Sequence, residues 1–437
     1  MPLSYSWLQL STAVSQLAQR LSDPNNKFWG TQECIVYIQQ ALRLFNTLTF
    51  TWKADFVFNS ANLWNSLGTL PGSPRLRTQT DVDCYTQMQY MLLEPASGGV
   101  WTGTNQFGIS QFAQALQTRR DEMIQIGNLN QVLLPGISLT PNTRRTYLPD
   151  NVIDVARVRY IPTTGSPNTL YRDDMVASEF YQAPVYQQPS GTPTIFSMSS
   201  EPPLAWNVNI PPSQPGTYEA VTLQTGTAFA PPSATLLNIP DDFSWALIYG
   251  ALGDILGSEP ESTDPQRAAY CMKRYQDGLQ LLQKIPWLML AKVNGIAVNN
   301  DSIFSTDRYM PNWDTSPTTF GPVVVTGGVD FLAAPVGSGI GITCLGNAPI
   351  PVIGTDYVQV SRSDWDIVLD LAQSLACFKM GGADWQQALE FEARAIGACS
   401  AENTRLRSFG AFSDILVDRG QQQERDQNRY NTNQTKK

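Results

Sequence analysis

The residues of this chain best placed for chemistry are two adjacent acid pairs, Asp173-Asp174 and Asp241-Asp242. Paired carboxylates can share acid and base duties in glycoside hydrolysis or hold a divalent cation. Adjacent acids seldom converge on one point, however, and Asp241-Asp242 stands where a helix is expected to begin. Capping of orphan helical N–H groups explains that pair. A carboxylate-based glycan hydrolase is permitted by these residues and favoured by none of them. Gly337-Ser338-Gly339-Ile340-Gly341 has the composition of a phosphate loop. It lacks the Lys-Ser/Thr ending of a P-loop and the third glycine of a dinucleotide fold. Ser338 also lacks the flanking pattern of a nucleophile elbow. The expectation is a turn or loop.

The 437 residues include no histidine, which removes Ser/His and Cys/His dyads and every imidazole ligand. Six cysteines stand at 34, 84, 271, 344, 377 and 399, with no C-x-x-C among them. They read as buried free thiols in a chain assembled in a reducing cytoplasm. No catalytic residue, cofactor or metal is therefore expected. The N-terminus has no basic-then-apolar leader, and no apolar run reaches the roughly eighteen residues that suggest a membrane span. Secretion and membrane insertion are not expected.

The elements that would position any site are legible from periodicity. Trp7, Leu10, Val14, Leu17 and Leu21 recur at helical spacing, and Asp23-Pro24 breaks the run. A second helix is expected over about 31–45, with Ile35, Ile38, Leu42 and Phe45 inward. Residues 1–48 form the first part of a helical core. Residues 49–240 alternate and carry Gly, Pro and Thr, the pattern of a β-rich insertion with one helix near 109–126. Within 241–290 two helices return as the second part of the core. Asp241 or Asp242 caps the first, and Asp264-Pro265 opens the second. Phe243, Leu247, Gly250 and Asp254 share one stripe; Ala268, Cys271, Tyr275, Leu279 and Leu282 share the other. A second β-rich segment spans 291–360. A helical hairpin spans 361–417, with Trp365, Val368, Leu371, Leu375 and Phe378 inward, a reversal at Gly381-Gly382, and Trp385, Leu389, Glu392 and Ile396 inward beyond it. Residues 418–437 form an extended polar tail. The expected class is α+β, with β-rich insertions and a C-terminal helical hairpin.

The ordered segments SYSWLQLSTAVSQLAQRLSDP, FWGTQECIVYIQQALRLFN, LPDNVIDVARVRY, the GTP turn and IPDDF…DPQRAAYCMKRY resemble the head-to-tail adaptor proteins of tailed bacteriophages. They cover much of residues 1–290; the last third goes beyond the short members of that family. The resemblance implies that the N-terminal and central helix pairs pack together as a helical-bundle core, and that the chain is a structural virion protein without enzymatic activity. It implies a twelve-fold ring of this chain, docked under the portal and joined to tail or nozzle proteins and to fibres. Genomic DNA would cross its lumen without sequence-specific binding. The location implied is the virion neck, after assembly in the host cytoplasm. A tail hub or baseplate protein is the alternative.

Charge and composition bear on that implication. Charged residues make up 15% of the chain, below the usual quarter, as on proteins that bury much surface against neighbours. The formal charge is −9, and acidic walls let DNA pass without sticking. No continuous basic stripe is expected in a lumen. Arg157 and Arg159 fall on one strand face and are expected to meet DNA or a neighbouring subunit's carboxylates. In the adaptor reading the tail is an arm on the portal, and its docking residues are Arg419, Arg425, Arg429, Tyr430, Lys436 and Lys437.

Overall fold

The computed structural model describes residues 5–49, 51–58, 78–94, 107–127, 129–173, 190–199, 204–258, 264–284, 290–293, 296–298, 323–325, 328–330, 340–345, 347–381 and 385–408. The chain divides into two compact units. One is Met1–Thr51 with Pro349–Lys437, and the other is Trp52–Ala348. The architecture is α+β.

The first unit carries α1 (Leu10–Arg20), α2 (Thr31–Thr49), α7 (Trp365–Phe378) and α8 (Gln386–Ser408). Helix α2 packs on α7, α1 and α8. It is buried along almost its whole length, including the polar Glu33, Gln40, Arg43, Asn46 and Thr47. The inward stripe of α1 is the expected one, and Trp7 lies just ahead of the helix. Its indole Nε1 donates to the Val360 carbonyl at 2.7 Å. Asp23 ends the α1–α2 connection by accepting from the N–H groups of Lys27, Phe28 and Trp29. Gly381 has φ +68°, the left-handed conformation a helix reversal needs.

Here the grouping of helices differs from the expectation. The partners of the N-terminal pair are α7 and α8, not the central pair. The expected pairing comes from the family resemblance alone; amphipathic stripes state only that a face is buried, never against what. The facing of α8 also differs. Trp385, Ala388, Glu392, Ala395 and Cys399 are buried, whereas Leu389 and Ile396 are exposed.

The second unit carries α3 (Asp81–Met91), α4 (Ile109–Gly127), α5 (Ser244–Ser258) and α6 (Pro265–Lys284). Helix α5 packs against α6, α4 and α3 and is buried on nearly all sides. The α5–α6 contact is close because two glycines permit it. A Cβ on Gly278 would lie 2.4 Å from Ala246 Cβ, and one on Gly250 2.7 Å from the Tyr275 ring. On α6 the stripe Ala268, Cys271, Tyr275, Leu279 and Leu282 is buried as the spacing requires.

A seven-stranded sheet completes this unit. Its strands are β2 (Gln131–Ser138), β3 (Arg145–Tyr147), β4 (Val152–Pro162), β5 (Asn168–Arg172), β6 (Ile195–Met198), β7 (Ala205–Val208) and β8 (Gly216–Gln224). They run in the order β2-β8-β4-β5-β6-β7-β3. Among the described residues, the β5–β6 pair of this sheet is parallel and its other strand pairs are antiparallel. Its core gathers Val155, Val158, Tyr160, Phe196, Trp206, Val208 and Tyr218. A four-stranded sheet orders β1 (Lys53–Phe58), β13 (Ile340–Leu345), β9 (Leu290–Val293) and β10 (Ile296–Val298). Strands β11 (Val323–Val325) and β12 (Gly328–Asp330) make a separate ribbon. Ile340 and Gly341, expected in a turn, are the first residues of β13. The Cys34, Cys84, Cys271, Cys377 and Cys399 thiols are free and buried, as the missing C-x-x-C pattern implied.

Candidate functional site

The acids are the place to begin, and each described one with a buried carboxylate has a partner. Asp241 and Asp242 open a 3-10 turn before α5. Asp241 does not cap α5. Its Oδ1 accepts from the N–H groups of Thr78 and Gln79, both at 2.9 Å, and its Oδ2 accepts from the Thr78 hydroxyl. Asp242 accepts from the Ala348 N–H at 3.3 Å. The pair therefore diverges, each carboxylate tying down a different stretch of chain. Asp264 caps α6 as expected, accepting from Arg267 N–H at 3.1 Å. Asp173 lies at the end of β5 and gives its N–H to the Phe196 carbonyl; Asp174 is outside the described residues.

Three charged clusters hold helices together. In the second unit, Arg119 on α4 grips Asp254 on α5 through Nε and Nη2. Its Nη1 reaches Glu122, which also accepts from the Tyr275 hydroxyl of α6 at 2.9 Å. The Asp254 hydrogen bonds drive the Arg119 pKa upward; burial and then Glu122 do the same for Tyr275. Both groups stay protonated at any physiological pH. In the first unit, Asp370 on α7 binds Arg20 of α1 and Arg394 of α8. Nearby, Glu33 accepts from Lys379 Nζ at 2.9 Å and from the Tyr37 hydroxyl at 2.7 Å. Among the described residues, no three His, Cys, Asp or Glu side chains are grouped to hold a metal ion.

Arg159 is likewise engaged within the chain. It faces Glu219 across β4 and β8 and donates to it through Nε at 3.1 Å. The acid it meets within the chain lies in register on the adjacent strand.

What the first unit offers outward is apolar surface. Of the large apolar side chains exposed among the described residues, Phe28, Val352, Ile353, Tyr357, Leu389 and Ile396 belong to it; Leu93, Tyr147 and Leu236 belong to the other. Val352 and Ile353 sit on a turn that is locked from both sides. Asp356 accepts from the Val352 and Ile353 N–H groups at 2.7 and 2.9 Å, which holds its carboxyl below the usual range. The turn is fixed to α1 by Leu10 N–H to Asp356 C=O and Ser11 N–H to Gly354 C=O. Phe28 sits over Lys379 Nζ, 4.7 Å from its ring centroid. These are rigid, water-facing apolar groups, the raw material of a protein interface. Sequence periodicity missed them, since the Val352–Tyr357 turn has no period and α8 was faced the other way.

The tail residues Arg419, Arg425, Arg429, Tyr430, Lys436 and Lys437 lie outside the described residues. No protein-family model and no curated protein matches the chain. No described helix is long and apolar enough to cross a membrane.

Proposed function

We propose that the chain is a structural virion protein, a head-to-tail adaptor whose copies close into a ring beneath the portal. What carries the reading is the ordered set of segments from the N-terminal helix pair to IPDDF…DPQRAAYCMKRY. The local geometry of those segments is compatible with it. LPDNVIDVARVRY runs into the long central strand β4, and Asp264-Pro265 starts α6. The two aspartates of IPDDF brace separate stretches of chain, an architectural role. The rigid apolar groups of the first unit supply surface for repeated subunit contacts, which close by rotation when they are heterologous. The tail residues Arg419, Arg425, Arg429, Tyr430, Lys436 and Lys437 are assigned to the portal, and DNA crosses the lumen without sequence-specific contact.

Imaging of particles containing a tagged copy tests this. The expected result is a ring of this chain at the neck, with the symmetry of the portal. Density of six- or three-fold symmetry at the distal tail would instead assign a hub or baseplate role. Absence of the chain from mature particles would end both readings.

A further inference from the structure

We infer that the turn carrying Val352 and Ile353 docks on the outer strip of α8 in a second copy of this chain. The inference rests on the ring reading above and names the contact that would build it.

The turn is a preorganised knob. Val352 and Ile353 are 69% and 60% exposed, with Tyr357 close in the chain, although the N–H groups of both are bonded to the Asp356 carboxylate. Burying them on a partner would order little that is not already ordered, so little binding energy is lost to entropy. The partner surface is an apolar strip on α8. Leu389, Ala393, Ile396 and Ser400 follow at intervals of four, three and four, the spacing of a seam between packed helices. Leu389 and Ile396 are 38% and 37% exposed and flank small residues. Nothing lies within 4 Å of the position a Gly397 Cβ would take, so the floor beside the strip is open. The exposure of both surfaces means that neither covers the other in the same chain.

Size decides the occupant. Val352, Ile353 and Tyr357 leave on the order of 300 Å² open, against about 800 Å² per partner in a stable complex. So small a knob does not hold a freely diffusing protein. It suits an occupant kept at high local concentration by contacts elsewhere, which a neighbouring copy in a closed ring provides. Met reciprocally, the two surfaces would build a two-fold pair; met head to tail, they give the heterologous contact that propagates around a rotation axis, and this second form is the one the ring reading requires.

The test uses the full chain with p-benzoylphenylalanine in place of Val352. Equal amounts of unlabelled and ¹⁵N-labelled protein are mixed, irradiated over rising concentration and mapped by mass spectrometry. The expected product joins the 352 turn of one copy to residues 386–400 of another, in mixed-isotope form and with yield rising with concentration. Leu389→Asp changes an exposed position; with its thermal unfolding unchanged, it should cut that yield at least tenfold. No mixed-isotope link, a link to another segment, or an undiminished yield in Leu389→Asp would overturn the inference. Neck imaging is scored separately. Cross-links without a neck ring would leave this self-contact standing and remove the adaptor reading; a neck ring without the cross-link would remove only the contact.

Discussion

Glu33 and Lys379 are 346 positions apart in sequence, yet their side chains meet at 2.9 Å and are nearly sealed from water. Lys379 Nζ also donates to the Phe28 carbonyl, and Glu33 accepts from Tyr37 and from Gly30 N–H. Breaking such a pair leaves one buried charge without its partner. Lys379→Met should therefore destabilise the first unit by about 3–5 kcal/mol, and Glu33→Gln in the same protein should recover part of the loss. Denaturant unfolding of the full chain, read as a double-mutant cycle, checks the sign of that recovery. Additive losses would show that the two side chains do not act as a pair.

Asp241 gives a second prediction. Its removal takes the charged acceptor from two N–H groups and a hydroxyl of residues 78–79 in a part-buried contact. Asp241→Ala should cost about 2–3 kcal/mol in the second unit. Hydrogen exchange should rise first over residues 78–91, because α3 starts where that carboxylate holds the chain. A variant as stable as the parent would contradict the bracing role.

Three glycines separate crowding from freedom. Gly250→Ala and Gly278→Ala drive a Cβ into Tyr275 and Ala246 and should each destabilise by about 1–3 kcal/mol. Gly397→Ala meets nothing and sits inside α8, so it should stabilise by about 0.5–1 kcal/mol. The same change fills the floor beside the Leu389 strip and should lower the inter-copy cross-link yield. Thermal melts of the three variants measure the first effect.

Thiol chemistry offers a further handle. Burial pushes the Cys34 thiol up to about 12 and the Cys377 thiol up to about 11. The thiolate is the reactive form, so both should resist iodoacetamide at pH 8 until the chain unfolds. Rapid labelling of the native protein at either position, located by peptide mapping, would contradict their burial.

Acid should loosen the first unit. Backbone N–H donors from Lys27 and Trp29 depress the Asp23 carboxyl, and those of Ile353 and Val352 depress Asp356, each below the ordinary 3.8. A depressed folded pKa contributes stability that is present above the unfolded value and lost as pH falls through the folded one. The melting temperature should thus decline below about pH 4, and Asp23→Asn should show a shallower decline.

Much of the helical structure was legible in the chain, because an amphipathic stripe records burial directly. The α6 stripe from Ala268 to Leu282 and the α7 stripe from Trp365 to Phe378 are buried as their spacing requires. Helix α3 escaped notice. Its interior mixes Gln87 and Gln89 with Met88 and Met91, so no face stands out, and only the Thr80–Asp83 capping box marks its start. The facing of α8 was misjudged because Leu389 and Ile396 are apolar and yet exposed, while Glu392 is charged and buried. The partners of α1 and α2 were not legible at all, since nothing in a stripe encodes sequence distance. The outward apolar groups were hidden for the opposite reason: hydrophobicity in a sequence announces a core before it announces a surface.

The division of the first unit between the two chain ends has a consequence for synthesis. When α1 and α2 emerge from the ribosome, the helices they need are more than 300 residues away. At roughly 5–20 residues per second, that interval lasts on the order of 15–60 s. Throughout it, the apolar flank of α2 is without its final cover, a natural target for chaperones and proteases. Any message truncated before α7 would release a polypeptide whose middle can fold and whose beginning cannot.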